Sequence, residues 1–575
     1  MTEINESVSP PKSEPKQEDP QNKDPLKIRI HLLCDGTKNN KENIAEREKF
    51  EVKGTPKSDA YKKFGTGSDN SYDNGRTNIA IMEPHIEDGK NKNGYDVIVK
   101  VYVEGQGTQK LAADDLTGYA FGAGTSGVYQ RARTGINQAL SDLREELLEN
   151  NPPEKFFIKQ VDVDVFGFSR GAATARHAIH AMTTEETMTI SDPYGGGQTL
   201  VITHPLHERL RQLGYTETTA DNIKIIFAGL YDTVVSVNAS QLKPAWMANN
   251  TRDQRAVTKA KFALHLAAAD EHREDFPLHT IKSAKDAGKG AEYYLPGVHS
   301  DVGGSYNLAN EELLNKNQEN ARIREVKSSG SYRDMKEQAR VWEELGHETF
   351  IEETAWTTGR GGRGPTEGKL HVYRHIDGLE YARPSDEVER IINRGRVSDL
   401  VEDMKHLINA GWYKDDKKKI RIDPDFGSTA VRFVMDALNP FNRDSSLSGK
   451  LITNRRGIKS AYSNIPLKIM VKYARIENIL IRDKLDARAD RTLATDPALQ
   501  ALEKDINRYI GSKGKTGSKP EDWLDIRSAA KHHPNIKTIR NEHLHMSSRF
   551  ATPVKEFGYT PRLVKNLRRR FYYEG

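Results

Sequence analysis

A single cysteine, Cys34, occurs in 575 residues. No intramolecular disulfide can form, so burial and hydrogen bonding must hold the fold, as suits folding in a reducing cytosol. Long apolar runs are also missing. No stretch reaches the ~18 consecutive apolar residues of a membrane-spanning helix. The first 25 residues, MTEINESVSPPKSEPKQEDPQNKDP, are polar, charged and proline-rich. They lack the apolar centre of a secretory signal and read as a disordered tail over residues 1–26. Export would need a route other than a cleaved signal. There is no HExxH, no GxxxxGK[ST], no EF-hand loop and no cysteine pair. No metal and no cofactor are therefore expected.

Charge is present in both signs but unevenly spread. The chain carries +5 overall, whereas residues 441–575 hold 28 Lys+Arg against 14 Asp+Glu. That part has a surplus of 14 positive charges, and the other 440 residues carry −9. The asymmetry suggests that the C-terminal part meets a membrane or another anionic partner. Aromatic stacking positions are few there, so nucleic acid is not expected.

Strand-like and helical patterns alternate along residues 27–306. KIRIHLLC (27–34), DVIVKVYVEG (96–105), FFIKQVDVDVFGF (156–168) and NIKIIFAGLYD (222–232) read as strands, and AEYYLPGVHSDVGG (291–304) as a strand ending in a Gly-rich loop that holds His299. Residues 129–151, 170–182 and 258–270 read as helices, and 41–75 as a long polar loop. This alternation predicts an α/β fold, a mainly parallel sheet with helices on both faces. The expected organisation is a catalytic domain over 27–440 and a basic, largely helical part over 441–575. Residues 307–365 break the rhythm and read as an inserted lid or cap. Further on, 368–376 reads as a strand, and 385–412, 467–489 and 497–510 as helices. Residues 428–441 could form an amphipathic contact helix, and 511–520 read as a flexible linker.

The chemistry concentrates at VDVDVFGFSRGAATARHAIHAM, residues 161–182. A buried strand meets a turn carrying Ser169, flanked by Gly167 and Gly171, and a small-residue helix follows. That is the context of a G-x-S-x-G nucleophile elbow. The five letters alone are weak, and the flanking strand and helix carry the weight. The bland alternative is a serine that merely caps a helix.

A serine nucleophile needs a base and an acid that orients it. Asp232 closes one strand and His299 follows another, in the hydrolase order Ser, acid, His. Asp232 could instead cap a turn. His265, His272 and His279 compete with His299, but they lie in or beside a predicted helix. Asp301 is a rival acid or a supporting partner. An oxyanion hole would draw one amide from Arg170 and another from the DGT turn at 35–37, where Gly36 and Thr37 follow Asp35. DGT also belongs to a phosphatase signature, DxDGT. Leu33 stands where its nucleophilic carboxylate would be, which argues against that chemistry.

These segments, with HLLCDGTKNN, GRTNIA, YVEGQGT, GFSRGAATAR, GLYDTVV, AAADEHREDFPL and LPGVHSDVGGSY in that order, resemble the type VI secretion phospholipase effectors of lipase family one. The resemblance spans about residues 27–306. It implies an α/β-hydrolase-like domain with Ser169 as nucleophile, Asp232 as acid and His299 as base. It implies a phospholipase A1 or A2 acting on membrane phospholipid. It also implies a secretion spike protein as carrier, an immunity protein in the producer, and delivery to the target-cell periplasm. Ser305 stands where the family often has a third glycine. Two other readings are a cytosolic esterase for small soluble esters and a non-enzymatic binding module on a hydrolase scaffold.

Overall fold

The computed structural model describes residues 23–306, except 54–55, 66–69, 73, 116–125, 192–196, 236–253 and 272–275. Beyond these it describes 350–357, 369–376, 409–412, 421–423, 451–458, 460–483, 485, 495–514, 517–545, 563–564, 567–568, 570 and 572–573.

Near-continuous apolar runs build the central sheet, as parallel strands buried on both faces require. Its seven strands are β1 (Asp24–Cys34), β2 (Gly89–Lys92), β3 (Tyr95–Val103), β4 (Phe156–Phe168), β7 (Ile223–Tyr231), β8 (Phe262–Ala268) and β10 (Gly290–Leu295). They lie in the order β10-β8-β7-β4-β1-β3-β2. All neighbours are parallel except β2 and β3. Elsewhere β5 (Glu186–Ser191) and β6 (Gly197–Thr203) pair antiparallel, as do β15 (Leu563–Val564) and β16 (Leu567–Arg568). The short β9 (Leu278–His279) pairs in parallel with β17 (Tyr572–Tyr573).

Both faces of the sheet are covered. On one, Val161, Val163 and Val165 of β4 pack with two helices, α3 (Val128–Asn150) and α4 (Arg170–Thr183). Ile136, Leu140 and Leu143 come from α3, and Ala172, Ala175 and Ile179 from α4. On the other face, Phe166, Phe168, Phe227 and Leu266 share a cluster with residues of the basic C-terminal part. Those residues lie on α6 (Asn464–Ile476), α7 (Pro497–Lys513) and α8 (Ile536–His543), together with Trp523. The alternating Val–Asp pattern of β4 follows from this arrangement. Its buried Asp164 takes Arg29 Nε at 2.7 Å, and the Arg29 guanidinium also donates to the carbonyls of Glu477 and Asn478 beyond α6.

Several expectations change. β1 begins at Asp24, so residues 24–26 of the expected tail belong to the sheet; residues 1–22 lie outside the described residues. Besides a short helix, α2 (Asp59–Phe64), the expected loop 41–75 contains a longer one, α1 (Lys41–Lys53). Its polar sequence has no apolar stripe to betray it. The helix expected over 258–270 is instead a 3₁₀ turn, Arg255–Lys259, leading into β8. FALHLAA is buried almost throughout, and a short buried apolar run does not distinguish strand from helix. Within the expected linker 511–520, Ser518 is pinned: its N–H donates to Glu292 O at 2.9 Å and its Oγ accepts from Tyr294 N at 2.7 Å.

Most of the 307–365 insertion, the 428–441 segment and residues 385–408 lie outside the described residues. Within and beyond the insertion, β11 (Phe350–Thr357), β12 (Lys369–Ile376), β13 (Arg421–Asp423) and β14 (Leu451–Ile458) form a separate sheet in the order β12-β11-β14-β13.

Candidate active site

The C-terminal ends of β4, β7 and β10 bring the candidate residues to one edge of the sheet, where parallel α/β folds bind ligands. Ser169 sits between β4 and α4 with φ 58° and ψ −129°. A non-glycine residue held in such a conformation stores on the order of 1–3 kcal/mol. The elbow is locked from three sides. Ser169 N–H donates to Tyr231 O at 3.1 Å, and its carbonyl accepts from Ala172 N and Val234 N. The flanking glycines are required by space. A Cβ on Gly167 would lie 2.5 Å from Ala172 Cα, and one on Gly171 would lie 2.2 Å from Asp35 O.

Asp232 follows β7 with a positive φ of 40° and is fully buried. Its Oδ2 lies 2.5 Å from His299 Nδ1. Its Oδ1 accepts from Ala268 N at 2.8 Å and from Arg570 Nη1 at 2.6 Å. Burial alone would raise the carboxyl. The Arg570 and His299 partners outweigh it and hold Asp232 well below the usual carboxylate range.

His299 opens a short helix, α5 (His299–Gly303), rather than lying in a loop. Its N–H donates to Glu271 Oε2 at 3.2 Å. The imidazole is clamped between Phe168, with centroids 4.5 Å apart, and Phe276, edge-on at 5.0 Å. The first contact sets the ring beside the residue that precedes Ser169. Two of the rival histidines, His265 and His279, lie within the described residues. His265 lies on β8, bonded to Glu292 Oε2 at 2.8 Å and accepting from Thr233 N. His279 is buried on β9, and His272 lies outside the described residues. Asp301, the rival acid, is bonded to Val298 and His545. Its Oδ2 takes Val298 N and His545 N, and its Oδ1 lies 2.6 Å from His545 Nδ1.

The DGT turn packs under the elbow. Asp35 is buried and accepts from Thr77 Oγ1 at 2.7 Å, Tyr102 OH at 2.6 Å and Gly36 N at 2.7 Å. Burial pushes its carboxyl up to about 6, against the pull of these three donors. The Gly36 N–H is thus directed at the Asp35 side chain. A Cβ on Gly36 would meet Phe168 at 2.7 Å, so the glycine serves close packing beneath the site. Thr37 Oγ1 accepts from Arg170 Nε at 2.6 Å, which ties the turn to the first residue of α4.

The model of the catalytic domain of T6SS Tle1-like phospholipase effectors matches residues 29–324. The chain belongs to this family. It is a Tle1-like phospholipase effector of the type VI secretion system, and the matched segment carries the elbow, Asp232 and His299. Among solved structures, it is similar to the Tle1 effector bound to the VgrG spike from the Type 6 secretion system. That likeness has 19% identity and a TM-score of 0.49, and covers 94% of this chain and 90% of the other. An uncharacterized protein from Pseudomonas aeruginosa matches at 15% identity and TM-score 0.27, covering 87% and 64%. No curated protein sequence matches the chain.

Sequence reasoning missed Arg570, Phe276, Glu271 and His545. Each was hidden for the same reason: its role depends on which distant element it meets. Among the described residues, no helix is long and apolar enough to cross a membrane, and no group of three or more His, Cys, Asp or Glu is arranged to hold a metal ion.

Proposed function

We propose that this effector is a serine phospholipase A that cleaves an acyl ester of membrane glycerophospholipids through Ser169, His299 and Asp232. The observation that carries the reading is the short Asp232–His299 bond, 2.5 Å, at the sheet edge where Ser169 occupies a strained strand–helix elbow. Asp232 holds the imidazole by Nδ1, which leaves Nε2 to take the Ser169 proton as the hydroxyl attacks the ester carbonyl. The carbonyl oxygen becomes an oxyanion, received by the amides of Arg170 and of the DGT turn. With the Gly36 N–H directed at Asp35, Thr37 is the better donor of that turn. His299 then returns the proton to the departing lysolipid oxygen, and water hydrolyses the acyl-enzyme in a second round.

The type VI secretion context supports carriage on a spike protein into the periplasm of a target cell and an immunity protein in the producer. The positive surplus of residues 441–575 supports docking on an anionic bilayer, at about 1 kcal/mol per well-placed basic residue. Wild type and Ser169→Ala should be compared on a phospholipid bearing different sn-1 and sn-2 chains. Wild type should release one of the two fatty acids and the variant neither. Equal release by both would end the proposal.

A further inference from the structure

The basic C-terminal end does not all face solvent. Arg570 is buried against Asp232, with side chains 1% and 0% exposed. Its Nη1 meets Asp232 Oδ1 at 2.6 Å. Its Nε donates to the carbonyl of Phe276, the residue whose ring stands edge-on to His299.

The segment that carries it is anchored as a strand. β17 adds in parallel to β9, with Tyr572 opposite Leu278 and Tyr573 opposite His279. Thr280 N donates to Tyr573 O at 3.0 Å, and the Tyr573 ring stacks on His279 at 5.1 Å. β9 is in turn fastened to the site. His279 N donates to Thr233 O at 2.9 Å, next to Asp232, and Arg176 of α4 donates to the carbonyls of His279 and Thr280.

We propose that Arg570 is a positioning residue of the hydrolytic site, delivered by the C-terminal strand, so that the site is complete only when that strand is seated. This rests on the triad reading above. A carboxylate with both oxygens occupied cannot turn. Ala268 N and Arg570 hold Oδ1, which aims Oδ2 at His299 Nδ1. The guanidinium also supplies a fixed positive charge that offsets the buried carboxylate and opposes protonation of the imidazole. Among the described residues, the charged groups next to His299 include Glu271, which accepts from its N–H, and Asp301 on α5, which is engaged by His545.

The test uses the full chain. Arg570→Gln, Arg570→Lys and Ser169→Ala are compared with wild type for fatty-acid release from anionic phospholipid vesicles across a pH series. Arg570→Gln should lower kcat/KM by about 10- to 100-fold, the usual cost of losing a partner that orients a reacting group. Its acid limb should move to higher pH, because the imidazole has lost a neighbouring positive charge. Lysine restores the charge without the two-pronged fork, so Arg570→Lys should keep the limb near the wild-type position and recover part of the rate. If the glutamine variant does not fold, a partial rate loss in Arg570→Lys at unchanged melting temperature supports the same role. Arg570→Gln activity within twofold of wild type would overturn the inference, as would a loss with an unmoved limb. If Ser169→Ala stays active, the triad reading itself fails. If Ser169→Ala is inactive while Arg570→Gln matches wild type, only the role of Arg570 fails.

Discussion

Replacing Asp232 by asparagine changes one atom and poses a problem that the site cannot solve. The carboxylate accepts three hydrogen bonds, two at Oδ1 and one at Oδ2. Asparagine has one oxygen. If that oxygen faces Ala268 N and Arg570, the amide group points two N–H donors at His299 Nδ1. The imidazole must then carry its proton on Nε2, the tautomer that cannot accept from Ser169. If the amide turns over, its N–H groups confront the Ala268 amide and a guanidinium, which is worse. The equivalent exchange in a serine-protease triad lowers kcat about 10⁴-fold, or about 5.5 kcal/mol of barrier. Removing the charge that balances buried Arg570 should also cost about 3–5 kcal/mol of stability. Fatty-acid release from vesicles and thermal melting read the two effects separately. A variant within tenfold of wild-type kcat would refute the assignment of Asp232 as the orienting acid.

Other expectations follow from single contacts. Gly171→Ala would drive a Cβ to 2.2 Å from Asp35 O and 2.3 Å from Cys34 O; neither backbone atom can retreat, so thermal melts should show a loss of about 3 kcal/mol, with activity lost as the DGT turn is pushed from the elbow. Arg540→Met would strand buried Asp270 and break bonds to Asp270, Trp523 O and Ala410 O; denaturant melts should show a loss of about 3–5 kcal/mol. Asp35 has a raised folded value, about 6 against 3.8, so the folded chain holds the extra proton and stability falls as pH rises through that interval. The melting temperature of Asp35→Asn relative to wild type should therefore climb across the same interval; a flat difference would contradict it. If bilayer docking is electrostatic, vesicle binding should weaken as salt rises through the physiological range; salt-independent binding would count against a basic docking surface.

The strands and the elbow were legible because period and burial are local signals. FFIKQVDVDVFGF can bury both faces only in the middle of a parallel sheet, and it does so as β4. Asp232 and His299 stand out as candidates by position, each just past a strand in hydrolase order. What failed to show was either compositional or long-range. Alanine-rich FALHLAA has good helix formers yet lies between two strands as β8. KENIAEREKFEVK forms α1 without an apolar stripe. Net charge alone groups the C-terminal arginines into one basic surplus. Arg540 and Arg570 instead turn inward to Asp270 and Asp232, and no local pattern distinguishes them from arginines that stay in water. The β-prone aromatics after Arg570 were the one available hint that this segment could join a strand.

Labelling with a fluorophosphonate that carries a mass tag, followed by peptide mapping, tests the nucleophile most directly. One adduct per chain is expected, on Ser169, formed slowly in Asp232→Asn and absent in Ser169→Ala. An active chain that takes no label, or takes it on a different serine, would contradict it.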